Sequence, residues 1–243
     1  MNRERQNRPL TFLALFMKSP ESGRAKRRLR PVLSEEEIAR LCEAFAGDLL
    51  EKLSTFPCDR RVIAHAGPIP NVVYQFDVGC WATALPTSNR DRPSFSLYPQ
   101  VEGDLGQRLE NYFRWSFSQG AAKSVVIGSD SPTLPFRTLE EAFRQLDRRE
   151  AVLGPSEDGG YYLIGMRRFL PALFQEIPWG AREVFEETMK RAVPLRVATL
   201  ERWYDVDTPE DLRRLRSHVR RMVEHQEREV PFRTHRLLSG LPF

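Results

Sequence analysis

Apolar and polar positions along the chain fall into two periods, and the switches between them outline the elements. Residues 12–17 (FLALFM) are apolar throughout, the pattern of a strand covered on both faces of a parallel sheet. The run stops at Lys18-Ser19-Pro20, and a loop with Gly23, Arg24, Lys26, Arg27 and Arg28 follows. Ser34 with Glu37 reads as a capping box, opening a helix whose stripe is Ile38, Leu41, Phe45, Leu49 and Leu53. Strands are predicted at 61–66 and 95–98, with a short helix and a loop between them over 71–92. A turn over 100–106 leads into a helix at 107–119. The β-branched run at 124–128 is the clearest strand, ending in Gly128-Ser129-Asp130. Leu139, Phe143 and Leu146 mark the next helix.

Strands at 151–154 and 161–166 flank the acidic turn Ser156-Glu157-Asp158-Gly159-Gly160, an antiparallel pair. A helix at 181–192 and a strand at 195–200 follow. Thr208 as N-cap with Pro209 at N1 begins a last helix, buried along Leu212, Leu215, Val219 and Met222. From Glu224 the pattern fades into a basic tail. Strands alternating with helices predict a three-layer α/β/α domain with a mostly parallel, mixed sheet, one domain over 1–243 with its core at about 10–223.

Composition narrows the function. Of 243 residues, 41% are apolar and 29% charged, ordinary for a soluble globular protein. No apolar run reaches the roughly 20 residues of a membrane span, and no signal peptide is read at the N-terminus. Cys42, Cys58 and Cys80 lack a C-x-x-C spacing, which fits reduced thiols in the cytoplasm. A net charge of +4 raises nucleic acid as a partner, but the arginines lie beside acids with no aromatic-basic patch, so no nucleic-acid partner is expected. There is no P-loop spacing, no G-x-G-x-x-G after the first strand and no G-x-S-x-G elbow.

The chemistry lies in the strand-end loops. Cationic side chains and a glycine at the end of a central strand suit a phosphate-bearing ligand. Three acidic motifs also follow strands: Asp130, Glu157-Asp158, and Asp205 with Asp207. Mg²⁺ is held by one or two carboxylates plus substrate phosphates, a role open to Asp130 and the Asp205/Asp207 pair. Against this, Asp130 also suits an Asx turn and Asp207 a helix cap. Gly159-Gly160 implies a backbone passing close to something bulky, either a ligand or its own hairpin. Trp179 reads as a buried anchor or as a cover for a sugar face.

Six motifs in order (KSPESGRAKRRLRP, GDLGQRL, GSDSPTLP, GPSEDGGYYLIG, IPWG and YDVDTPEDLRRL) resemble those of the radical-SAM/selenodomain-associated glycosyltransferase-like family. That family belongs to the nucleotide-diphospho-sugar transferase superfamily with the GT-A fold, and is similar in layout to guanylyltransferases. The resemblance implies that Lys18, Gly23, Lys26 and Arg28 contact nucleotide phosphates, with Asp130 and Lys26 catalytic. It places Gln100, Asp158, Gly159 and Gly160 around the nucleotide or substrate, and Asp130, Asp205 and Asp207 on Mg²⁺ or Mn²⁺. Three positions depart from the pattern: Arg27 for Thr, Ser131-Pro132-Thr133 for Cys-Pro-Asp, and Gly180 for Ser. The expected activity is glycosyl transfer from a nucleotide sugar to a small-molecule acceptor. Nucleotidyl transfer to a phosphorylated acceptor and a non-catalytic nucleotide-binding module are the alternatives.

Overall fold

The computed structural model describes residues 9–18, 26–80 and 95–241. Among these residues eight strands form one sheet in the order β3-β4-β2-β1-β5-β7-β6-β8. These are β1 (Leu10–Lys18), β2 (Arg60–Ala66), β3 (Val78–Cys80), β4 (Phe95–Pro99), β5 (Ala121–Gly128), β6 (Ala151–Pro155), β7 (Tyr161–Met166) and β8 (Val197–Thr199). Only β7 runs against its neighbours β5 and β6; every other pairing is parallel. The expected mixed sheet with one antiparallel insertion is the observed one.

Among the described residues six α-helices cover it: α1 (Glu35–Thr55), α2 (Leu105–Ser118), α3 (Phe136–Gln145), α4 (Val184–Arg191), α5 (Pro209–Glu224) and α6 (Phe232–Ser239). The all-apolar β1 explains the layering, because its two faces belong to two cores. Leu13, Leu15 and Met17 meet α1 and α3 through Leu49, Leu50, Leu53, Leu139 and Ala142. Phe12, Ala14 and Phe16 meet α2 through Leu109, Tyr112 and Phe113. A third cluster joins Leu41 and Phe45 of α1 to Leu212, Leu215 and Val219 of α5, with Tyr204 and Val206.

Several boundaries shift for identifiable reasons. α2 starts two residues before the expected 107, since Asp104 and Gln107 form a capping box that the motif hid. The helix expected at 181–192 spans only Val184–Arg191. The segment over 71–92 holds a single helical turn (Asn71–Gln75) and the three-residue edge strand β3, with 81–94 outside the described residues.

The largest departure is the predicted tail, where α6 docks on α1. Asp48, 7% exposed, accepts hydrogen bonds from Arg233 N (2.9 Å) and Thr234 N (2.8 Å), so it caps α6 from another helix. Leu238 and Leu241 complete the third cluster. The sequence hid this because the cap lies 185 residues away from its amide. Asp48→Ala would leave two amides of α6 without an acceptor and should lower unfolding stability by about 2–3 kcal/mol. Urea denaturation measures this, and an unchanged midpoint would remove Asp48 as the anchor of α6.

Candidate functional site

Because β7 is reversed relative to both neighbours, β6 and β8 point the same way as β1, β2, β4 and β5. The segments after these strands therefore emerge at one edge of the sheet, where ligand crevices of open α/β sheets lie. That edge gathers Lys18, Lys26, Gln100, Asp130, Asp158, Asp205 and Asp207. Gly23 lies outside the described residues.

Lys26 lies inside the protein. Its side chain is 4% exposed, and Nζ stands 2.5 Å from Val206 O and 2.5 Å from Asp130 Oδ1. The ammonium also lies 5.6 Å from the Phe45 ring centre, and the residue adopts a left-handed backbone (φ 45°). Burial pulls its pKa down, but Asp130, Cys42 and Asp207 together outweigh that and leave it above the ordinary lysine value. Two exposed cations of the described residues are Lys18, at the end of β1, and Arg28, 71% exposed and 3.6 Å from Asp207 Oδ2.

Asp130 keeps 54% of its side chain exposed while one oxygen receives Lys26. No described backbone amide ties up its carboxylate, unlike an Asx turn. Its carbonyl accepts from Val206 N at 3.1 Å, and Ser131 Oγ donates to Tyr204 O at 3.0 Å. The chain over 203–206 is laced on its other side as well, with Glu157 N donating to Trp203 O and Trp203 N to Pro155 O, both 3.1 Å. Asp205 is thereby fixed between the β5 and β6 ends. Burial, then Asp158 and Asp130, push its carboxyl up to about 6, against opposition from its own backbone amide and Lys26. Three carboxylates thus share one crowded field.

Their neighbours are committed elsewhere. Arg214 clamps Glu157 through two bonds of 2.5 and 2.9 Å and lies 4.2 Å over the Tyr204 ring. Asp158 accepts from Ser156 Oγ and from Gly160 N (2.9 Å), holding the turn closed. At Gly159 (φ +94°) a Cβ would sit 1.9 Å from Arg182 O, so the bulky neighbour is the protein's own backbone. Gln100 Nε2 donates to Ala64 O (2.7 Å) and Met17 O (3.4 Å), tying the ends of β1 and β2. Trp179 lies against Gly106, where a Cβ would fall 2.1 Å from Nε1, so the IPWG and GDLG motifs meet.

Two departures from the family pattern acquire local reasons. Thr133 is 2% exposed and donates to the Tyr204 hydroxyl at 3.0 Å, a place where an ionised acid would be buried. Gly180 has φ +92°, which favours glycine over serine. Sequence reasoning missed the Glu157–Arg214 clamp and the roles of Tyr204 and Val206, which join residues distant in the chain.

Among the described residues, no group of three or more His, Cys, Asp or Glu is gathered tightly enough to hold a metal by itself. Asp130 and Asp205 still fit a hard cation that arrives with phosphates, since the field around Asp205 already disfavours its negative charge.

Residues 50–181 match the family described as an uncharacterized protein conserved in bacteria (DUF2064). No protein with a curated description matches the chain in sequence. Among solved structures, a candidate nucleotide-diphospho-sugar transferase of Desulfovibrio desulfuricans G20 is 29% identical, with a TM-score of 0.78 over 96% of this chain and 95% of that one. The 4-diphosphocytidyl-2C-methyl-D-erythritol synthase of Anaerococcus prevotii DSM 20548 shares the fold at 9% identity, with a TM-score of 0.54 over 86% and 99%.

The raised Asp205 carboxyl sets a pH dependence. Its folded value, about 6, exceeds its unfolded value, so the penalty for ionising it in the folded protein is full above pH 6. It fades as pH falls through 6 and vanishes below both values. Asp205→Asn should therefore stabilise the protein by about 1–2 kcal/mol at pH 7.5, allowing for partial exposure, with the gain gone near pH 3.5. Denaturation of both proteins across that range checks it. A gain independent of pH would contradict the crowded-carboxylate field.

Proposed function

We propose, for a chain that belongs to the DUF2064 family, that it is a cytoplasmic transferase using a nucleotide-diphospho-sugar donor and Mg²⁺ or Mn²⁺ to move a glycosyl group onto a small-molecule acceptor. The observation that carries this reading is the acidic field of Asp130, Asp158 and Asp205, rimmed by accessible cations at a single sheet edge. The likeness to the Desulfovibrio protein supports it, and the motif order supports the radical-SAM/selenodomain-associated branch. The free thiols of Cys42 and Cys58 suit a reducing compartment. No helix among the described residues is long and apolar enough to cross a membrane.

In this reading Lys18 and Arg28, with the Gly23 loop, receive the donor's phosphates, while Asp130 and Asp205, aided by Asp207, hold the cation. A divalent cation held by these carboxylates would supply charge neutralisation for the leaving diphosphate. Lys26 acts through Asp130: its ammonium fixes which oxygen of that carboxylate is turned inward and which remains outward. Gln100 spends its amide on two strand-end carbonyls and sets the floor beneath the nucleotide. Asp158, Gly159 and Gly160 shape the wall beside Asp205, the turn's closure leaving Asp158 directed at that wall.

A thermal-shift screen of nucleotide sugars and nucleoside triphosphates, each with and without Mg²⁺ or Mn²⁺, tests the proposal. The donor at about 100 times its Kd should stabilise by about 2.7 kcal/mol, a Tm rise of roughly 5–10 °C for a chain of this length. Asp130→Asn should lose the cation-dependent part of that rise. Because Asp130 neutralises the buried Lys26, the variant starts from a lower Tm, and the ligand-induced shift is the quantity compared. A shift that ignores the cation points to a binding module, and release of diphosphate from a triphosphate points to nucleotidyl transfer. Either result would overturn glycosyl transfer.

A further inference from the structure

The segment that carries Asp205 is gripped from α5 as well as from the sheet. Burial alternates along it: Tyr204 and Val206 are 4% and 0% exposed, while Asp205 and Asp207 remain partly exposed. That alternation sends the Tyr204 and Asp205 side chains to opposite sides of one short stretch of backbone. Whatever fixes the Tyr204 side chain therefore also fixes the direction of the Asp205 carboxylate.

Three side chains hold Tyr204. Arg214 lies 4.2 Å over its ring, and His218, one turn along α5, brings Nδ1 to 2.8 Å from its hydroxyl. Thr133 Oγ1 donates to the same hydroxyl at 3.0 Å. Thr133 and Tyr204 are both buried, so their two hydroxyl protons need two acceptors. The Tyr204 oxygen takes one and His218 Nδ1 the other, which requires the neutral ring with its proton on Nε2. Burial and then Arg221 hold the imidazole below its ordinary pKa, in keeping with that form. The helix packs on the core through Leu212, Leu215, Val219 and Met222, without the imidazole. Among the described residues the ring bonds nothing else, and its ring contacts are with Trp203 and Tyr204.

We propose that His218 is a positioning residue for Asp205, holding the Tyr204 hydroxyl so that the 203–206 segment presents that carboxylate at the sheet edge. Without the ring nitrogen, two buried hydroxyl protons have one acceptor between them, and opening the segment to water satisfies the second. The functional meaning rests on Asp205 as a cation ligand, the reading proposed above.

Nuclear magnetic resonance tests this in two ways on the same samples. Exchange of the Trp203 and Val206 amides, bonded to Pro155 O and Asp130 O, reports opening of the segment. In His218→Phe it should quicken by about tenfold relative to the amides of β1. His218→Asn, whose amide oxygen takes the place of Nδ1, should restore the slow rate. Adding His218→Phe to Tyr204→Phe should change nothing further, because the route through the hydroxyl is already cut. Unchanged exchange in His218→Phe, an equal rise across β1 and α5, no rescue by asparagine, or additive effects in the double variant would overturn the assignment. Millimolar Mn²⁺ without nucleotide gives the second readout, line broadening at residues 130 and 205–207. Broadening in the wild type that His218→Phe weakens supports the role, and broadening that it leaves untouched overturns it. A wild type that shows none contradicts the cation reading instead, and the exchange results still decide whether His218 holds the segment.

Discussion

The architecture of the sheet edge depends on one buried ammonium. A lysine head removed from water is strongly unfavourable unless its charge and its donors are met. Lys26 meets both conditions with Val206 O, Asp130 Oδ1 and the face of Phe45. These partners come from three places far apart in sequence: the segment after β8, the end of β5 and the middle of α1. The arrangement is demanding enough to hold a non-glycine residue at φ 45°, a conformation that L side chains seldom adopt. With Lys26 in place, the orientation of Asp130 and the path of residues 203–206 are largely determined, and Asp205 is fixed between them.

This divides the positive charge of the edge into two kinds. The internal cation is already neutralised and holds the acidic residues in place. The external ones, Lys18 and Arg28, face solvent, Arg28 with Asp207 Oδ2 3.6 Å away. The negative charge is divided likewise. Glu157 and Asp211 are spent on an arginine clamp and a helix cap and one oxygen of Asp130 on Lys26, while Asp205 lies partly buried in the field of Asp158 and Asp130. A raised carboxyl in a partly buried position is the kind of stored penalty found at ligand sites, where the ligand relieves it.

The sequence carried the fold because β1 and β5 are unambiguous double-sided strands, and because Ser34/Glu37 and Thr208/Pro209 are local signals with local causes. It also anticipated that the described candidates share one sheet edge, since each follows a strand and a parallel sheet brings strand ends together. The roles were less legible. Lys26 and Arg28 look alike in a basic loop, and only the partner 180 residues away makes one a strut. Gly159 announced a close approach, but not that Arg182 of the same chain makes it. The docking of α6 was invisible because a short helix of modest apolar content depends on a carboxylate from α1.

The most direct measurement is a crystal structure grown with Mn²⁺ and the nucleotide that stabilises the protein, read by the anomalous signal of the metal. The account predicts one manganese peak beside the outward oxygen of Asp130 and the Asp205 carboxylate, bridged to phosphates that also reach Lys18 and Arg28. Lys26 should still hold Val206 O. A metal bound away from Asp130, or a Lys26 side chain swung out onto the phosphates, would contradict it.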